Sequence, residues 1–338
     1  MNSSPQTDRS PKAQQSGFTL VEVLVAALIT SILILVLFQV TVGALDAWRN
    51  GTARLRSNAD ARVALDLFAR DVEMMLLDGT SSTVNQQWIV SRPDVITNNA
   101  AFGEITNTWL MFFSPSIDRN SGQRGDISAI SYRVAYQDII STNTTGFEVF
   151  ALYKTIVNTT NTYIHALATS NIVDNFWGSD LVLFRGSDFG PYNWTNNTAN
   201  ISGYNGETIS TTNRADFLVP NVVDFSVAWT VRHAESNLYY RISSDLIMHK
   251  NNDIRVKAPA GVTFPTNFPH ALDGGSNPIV DADGFNILDS NYVLDAAEVS
   301  MIIVDDEGIS QIRLGRDPDA VLQTFGRQFT QRIRVAGF

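Results

Sequence analysis

The sequence contains no cysteine, which excludes disulfides and thiolate metal sites. Basic residues are also few: 24 Lys and Arg stand against 34 Asp and Glu, and the net charge is −10. A chain this acidic lacks the basic surface that nucleic acid requires, so nucleic acid is not an expected partner. With 338 residues, it is long enough for one large domain or two modest ones.

Motifs of common enzymes are missing as well. The sequence has no P-loop, G-x-G-x-x-G, H-E-x-x-H or G-x-S-x-G. The histidines are scattered along the chain, at His165, His233, His249 and His270. We therefore expect neither an enzyme nor a cofactor.

One loop has the residue types of a calcium site. Residues 281–289 hold four side chains with oxygen ligands around Gly284, namely Asp281, Asp283, Asn286 and Asp289. Their spacing differs from that of an EF-hand, and ordinary turn chemistry explains Asp, Asn and Gly equally well. We expect a loop here and no metal site.

A long apolar run lies near the N-terminus. Residues 18–38 hold one charged residue, Glu22, and neither proline nor glycine. About 20 helical residues cross a hydrocarbon core roughly 30 Å thick, so a membrane-spanning helix is predicted over about 18–42. A cleaved secretory signal has a shorter apolar core with its small-residue cleavage site behind it. Here the small-residue boundary, Ser16-Gly17, precedes the run, so a cut there removes residues 1–17 and leaves the span in place.

The carboxylate of Glu22 is unfavourable in this apolar run unless it has a partner or a function. A charged side chain in a membrane helix costs about 2.5–3.5 kcal/mol on insertion scales. A cut after Gly17 makes Phe18 the new N-terminus and releases an α-amine. The amine of a neighbouring copy, shifted along the helix axis, could pair with Glu22 and penalise wrong registers. Glu22 is therefore interpreted as an assembly register rather than a catalyst.

Residues 17–23, GFTLVEV, resemble the class III signal of type IV pilins and type II secretion pseudopilins. The resemblance implies that a prepilin peptidase cuts after Gly17, that Phe18 is methylated and that Glu22 is the register carboxylate. It implies as partners other pilin or pseudopilin subunits, an inner-membrane assembly platform and the lipid bilayer. It also implies a single-pass inner-membrane protein with a cytoplasmic leader and a periplasmic head.

A second resemblance lies in residues 62–75, RVALDLFARDVEMM. The Arg70-Asp71 pair in an apolar helix is similar to large minor pilins of the W type and minor pseudopilins of the J type. The general layout resembles that of Verru_Chthon cassette protein C. By resemblance, a tip-capping pseudopilin lacks the glutamate, so the presence of Glu22 disfavours that type.

The helical pattern continues beyond the membrane span. Residues 43–77 contain no proline, and Gly79 predicts a C-cap, which gives one helix over 18–78. One apolar stripe consists of Ala61, Leu65, Phe68, Val72, Met75 and Leu76. A second stripe, on roughly the opposite side, consists of Val63, Leu67 and Met74. The second stripe packs either on neighbouring subunits or, with the first, in one wide intramolecular core.

Residues 79–338 are predicted to form a mostly β head. Apolar, β-branched and aromatic runs predict strands at 108–114, 127–137, 147–157, 180–186, 222–232 and 299–308. Long polar loops reach from 189 to 215 and from 259 to 291. The fold class is therefore α+β and pilin-like, with a long N-terminal helix packed on an antiparallel β-sheet head.

Two functions are compatible with these features. The first is a minor pilin or pseudopilin that joins or primes a filament of the type IV pilus or type II secretion kind. The second is a membrane-anchored binding module, an adhesin or substrate-recognition protein, whose long loops contact a surface, a sugar or an exported substrate.

Overall fold

The computed structural model describes residues 19–77, 87–96, 105–115, 126–138, 148–156, 159–162, 217–243, 245–249, 253–258, 261–265, 267–281 and 284–335. The chain divides into two compact units, Met1–Arg54 and Leu55–Phe338, called unit 1 and unit 2 below. A single helix, α1 (Leu20–Glu73), contributes to both units.

The described part of unit 1 is the first part of α1. The side chains of residues 19–50 are all exposed, and most of them are apolar. The hydroxyls of this stretch are satisfied within the helix, because Thr30, Ser31 and Thr41 each donate to the carbonyl four residues earlier at 2.8 Å. Such internal pairing lets small hydroxyl side chains sit in an apolar environment without an unsatisfied donor.

The helix α1 ends at Glu73, whereas the sequence pattern predicted a helix up to about residue 78. The Leu76 N–H donates to the Phe113 carbonyl at 2.8 Å instead of continuing the helical ladder. Met75 and Leu77 are buried just after the helix. Tertiary contacts thus override helix propensity over these residues, while the predicted Gly79 cap lies outside the described residues.

Unit 2 contains two antiparallel sheets, as the α+β prediction requires. The first sheet has the order β10-β9-β8-β1-β2-β3-β4-β5, and the second has the order β12-β11-β6-β7. The strands of the first are β1 (Gln87–Ile96), β2 (Ile105–Pro115), β3 (Ile127–Asp138), β4 (Glu148–Ile156), β5 (Phe217–Pro220), β8 (Asp245–His249), β9 (Asp253–Lys257) and β10 (Asn286–Ile287). Those of the second are β6 (Val222–His233), β7 (Tyr239–Ile242), β11 (Tyr292–Val304) and β12 (Gly326–Arg334).

Three helices complete the described part of unit 2. They are the single turn α2 (Thr159–Thr162), α3 (Asp306–Arg313) and α4 (Pro318–Phe325). Asp305 caps α3 by accepting the Gly308 N–H at 2.8 Å. The strand predicted over 299–308 was therefore too long: it ends at Val304, where the acidic run starts a helix.

The predicted strands agree with β2, β3, β4, β6 and the last six residues of β11, whereas the predicted strand 180–186 lies outside the described residues. The first apolar stripe of α1 is confirmed as core, since Ala61, Leu65, Phe68, Val72 and Met75 are all buried. Phe68 makes edge contacts with Tyr132 of β3 at 4.9 Å and with Phe225 of β6 at 5.8 Å. One helical side chain thus touches a strand from each sheet.

Side chains of β2 also join the two sheets. Asn107 and Thr108 accept hydrogen bonds from the backbone N–H groups of Phe225 and Val227 of β6, at 2.8 and 3.2 Å. The strand β7 pairs only with residues 229–232 of β6. The two β2 side chains therefore satisfy backbone donors of β6 beyond the end of that pairing.

A buried carboxylate fixes the end of α1 to the first sheet. Asp71 forms an ion pair with Lys154 of β4, 2.6 Å between Oδ2 and Nζ, and accepts a hydrogen bond from the Tyr132 hydroxyl. Burial, together with the negative charge of Asp71, raises the pKa of Tyr132 well above its usual value. Tyr132 therefore stays protonated and remains a donor to Asp71.

We predict that Asp71→Asn destabilises unit 2 by about 3–5 kcal/mol, because it leaves the ammonium of Lys154 buried without a counter-charge. The measurement is chemical denaturation of the full chain in detergent, followed by tryptophan fluorescence. The matched control is Asp66→Asn, an exposed position on the same helix, which should change the free energy of unfolding by no more than about 0.5 kcal/mol. Equal losses for both variants would contradict the assignment of a stabilising role to Asp71.

Candidate functional site: the start of the long helix and its exposed apolar face

The start of α1 is fixed by a reciprocal pair of side-chain hydrogen bonds. Thr19 Oγ1 accepts the Glu22 N–H at 3.3 Å, and Glu22 Oε2 accepts the Thr19 N–H at 3.4 Å. This is a capping box, in which the N-cap hydroxyl and the carboxylate three residues later satisfy each other's backbone donors. The local sequence therefore caps the helix at its start, Leu20.

The predicted cleavage and methylation residues, Gly17 and Phe18, lie outside the described residues, as does the leader 1–17. Thr19, the first residue that the structure describes, directly follows Phe18 in the chain. An α-amine formed by a cut after Gly17 would thus lie one residue before the N-cap.

Glu22 is exposed, and its helix offers no nearby cation. The first basic residue after it is Arg49, 27 residues further on, which corresponds to about 40 Å of helix. One carboxylate oxygen takes part in the capping box, and a carboxylate has two oxygens that accept hydrogen bonds. The geometry therefore leaves Glu22 able to bind a cation from elsewhere while it still caps α1.

The first part of α1 has the length and composition of a membrane span. Among the described residues, α1 alone is long and apolar enough to cross a bilayer, and none of its most apolar stretch is buried in the protein. This agrees with the predicted span and indicates membrane anchoring. The orientation of the span remains a prediction.

The second stripe of α1 stays outside the hydrophobic core. Val63 is 62% exposed, and Leu67 and Met74 are half-buried. Leu55, earlier on the helix, is 72% exposed. The hydrophobic core therefore includes the first stripe but not the second, of which Val63 is exposed at the surface of unit 2.

The remaining candidates are engaged in local structure. Asp281 pairs with Arg255 at 3.1 Å and accepts the Phe285 N–H at 2.8 Å. Asp289 accepts the Asn291 N–H, and Asp283 lies outside the described residues. In the part of the chain that the structure describes, no group of His, Asp or Glu side chains could hold a metal ion.

The histidines do not meet at one place among the described residues. His233 contacts the Tyr292 ring at 5.0 Å, while His270 lies against Phe268 at 4.9 Å. Burial lowers the pKa of His270. His165 and the side chain of His249 lie outside the described residues, as does the loop 189–215.

A family model of the prokaryotic N-terminal methylation motif matches residues 12–38. The match includes Gly17, Phe18 and Glu22, and it confirms a type IV pilin-like, prepilin-type signal at the start of this chain. Proteins of that kind are structural subunits rather than enzymes. None of the curated proteins and none of the solved structures matches the chain.

The capping box is the part of this site that the sequence reasoning missed. Thr19-x-x-Glu22 followed by an apolar run is itself a sequence pattern for a helix start. It assigns Glu22 a role within its own helix, in addition to the role that the resemblance implies.

Proposed function

We propose that this protein is a minor pilin or pseudopilin that is cut after Gly17 by a prepilin peptidase, methylated on Phe18 and assembled through α1. The observation that carries the proposal is the methylation motif over residues 12–38, placed where an exposed apolar helix begins. The proposed subunit is an inner-membrane protein with its leader in the cytoplasm and unit 2 in the periplasm. Its partners are other subunits and the assembly platform.

Electrostatics support a role for Glu22 in assembly. The carboxylate lies in an apolar run that has no cation nearby on its own helix. Within a membrane or a filament core, an ion pair with the α-amine of an adjacent subunit offsets the cost of the charge. Since that pairing needs a specific axial shift between two helices, it selects one register of assembly.

Packing supports two contact surfaces on α1. The apolar span has every side chain exposed, and the second stripe keeps Val63, Leu67 and Met74 out of the core. Exposed apolar surface of this extent marks an interaction site. We assign the span first to the bilayer and then to neighbouring helices, and the second stripe to subunit packing. The Arg70-Asp71 helix and the large β head fit a W-type minor pilin or a J-type pseudopilin.

The first prediction concerns processing. Mass spectrometry of the membrane-extracted protein should find an N-terminal peptide that begins at N-methylated Phe18. The control is Gly17→Val, whose branched side chain replaces the small residue at the cleavage site and should retain the leader. A wild-type chain that still begins at Met1 in cells with an active prepilin peptidase would refute the proposed function.

The second prediction separates the two roles of Glu22. Glu22→Gln keeps an acceptor for the capping box but removes the charge, so assembly into sheared filaments should fall below detection. Thr19→Val keeps the charge and removes the N-cap hydroxyl, at a cost of about 1 kcal/mol in helix stability, so assembly should persist. Normal assembly of the Gln variant would rule out a charge-based register.

The third prediction concerns the second stripe. Val63→Lys places a charge on the exposed stripe next to Asp60 and Asp66, so the helix should tolerate it, whereas subunit packing should not. Filament incorporation should drop at least about tenfold, with an unchanged midpoint of denaturation. Leu314→Lys, at a residue 77% exposed after α3, is the matched control and should assemble normally. Equal incorporation of both variants would show that the second stripe is not part of the subunit interface.

A further inference from the structure

Residues 261–265, 267–281 and 284–291 form a folded element, although the sequence predicted one long polar loop over 259–291. Three residues spaced eight apart close a circuit of backbone hydrogen bonds. Ile279 donates to Ala271 at 2.9 Å, Ile287 donates to Ile279 at 3.0 Å, and Ala271 donates to Ile287 at 2.8 Å. A closed circuit restrains three passes of the chain against one another, so this element is preorganised. It is called the acidic arch below.

The arch is attached to a strand of each sheet. Phe268 is buried. The centroid of its ring lies 4.2 Å from that of Phe264 and 6.1 Å from that of Tyr240 in β7. On the other side, the Leu288 N–H donates to the Ile254 carbonyl of β9 at 2.9 Å. Aromatic packing and backbone pairing therefore hold its base.

Its tip is fixed by Asp273. One carboxylate oxygen, Oδ1, accepts the N–H groups of Gly275 and Asn277, both at 2.8 Å. These bonds to the charged form lower the pKa of Asp273, so the side chain is ionised at neutral pH. The turn thus presents a negative charge at the surface.

Apolar side chains are exposed on this restrained backbone. Among the described residues of unit 2, ten large apolar side chains are exposed, and four of them belong to the arch. They are Val262, Leu272, Ile279 and Val280, between 37% and 57% exposed. Leu272 forms an isolated antiparallel bridge with Pro278, which precedes Ile279 and Val280 in the chain.

The charge of the arch has one sign. Residues 259–291 contain four Asp and no Lys or Arg. Asp281 is neutralised by Arg255, but Asp273 and Asp289 have no ion pair among the described residues. His270, the one histidine of the arch, adds no cation at neutral pH because burial lowers its pKa. The exposed Leu272 is thus followed directly by Asp273, a carboxylate without an ion pair among the described residues.

We propose that the acidic arch is a docking element for a protein partner that presents apolar side chains flanked by Lys or Arg. Apolar contact supplies the attraction, and complementary charge supplies selectivity. The restrained backbone lowers the entropy lost on binding. Anionic lipids and nucleic acid are disfavoured by the carboxylates, and a second copy of this acidic chain is disfavoured by its net charge of −10.

The test uses the full chain in phosphatidylcholine nanodiscs and a short Leu/Lys peptide that carries a benzophenone photocrosslinker. Crosslinks mapped by mass spectrometry should concentrate in residues 261–291 and weaken as salt is added. The variant Leu272→Ser/Ile279→Ser/Val280→Ser should lower peptide affinity about tenfold or more. Leu314→Ser is the matched control at another exposed apolar position and should bind as wild type.

A second variant tests the charge without disturbing the fold. Asp273→Asn keeps an Oδ1 acceptor for the turn and removes the charge, so affinity for the Leu/Lys peptide should fall and its salt dependence should flatten. Affinity for a Leu/Gln peptide should not change. Equal binding of a Leu/Glu peptide, or crosslinks spread over the whole surface, would overturn the proposal.

Two other outcomes would also overturn it. Self-association of the chain that is lost in the triple Ser variant would show that the acidic arch binds a second copy of this chain. Binding of peptide-free protein to phosphatidylcholine vesicles through the arch would make it a lipid surface. None of these results depends on cleavage after Gly17, so the docking proposal and the filament proposal succeed or fail separately.

Discussion

Burial of one face of α1 in unit 2 is the contact on which the rest of the structure depends. Its apolar stripe reaches both sheets, and each fully buried Leu, Val or Phe side chain contributes about 1.5–3 kcal/mol. The charged end of the same face is compensated, since Asp71 meets Lys154 and Tyr132. With that face engaged, the second stripe and the apolar span remain outside the core, available to other molecules.

Periodicity predicted the parts of the fold that are regular and apolar. The buried stripe of α1 and strands such as β3 and β6 have the spacing and composition that their environments require. The strand β1 was missed because it contains Arg92, Pro93 and Asp94. Proline is tolerated there because pairing with β8 stops at Ser91, so on that side no ladder donor is lost.

Tertiary context decided what periodicity could not. The strands β7 to β10 have two to five residues each and follow from pairing with neighbours rather than from their own pattern. The sequence predicted a polar loop for the acidic arch because its backbone hydrogen bonds join residues eight apart. Such bonds produce no short-range hydrophobic periodicity in the sequence. At the helix start the local motif was sufficient: Thr19 and Glu22 form the cap that their spacing encodes, next to the predicted cleavage site.

The end of α1 has a mechanical consequence. Asp71 accepts a hydrogen bond from Tyr132 of β3 and forms an ion pair with Lys154 of β4. Just beyond the helix, the Leu76 N–H donates to the Phe113 carbonyl of β2. These strands are consecutive in one sheet, in the order β2-β3-β4. A pull transmitted along the helix therefore enters the sheet through three adjacent strands at once. Attachments loaded side by side share the force, so this junction resists tension better than any one of its bonds would alone.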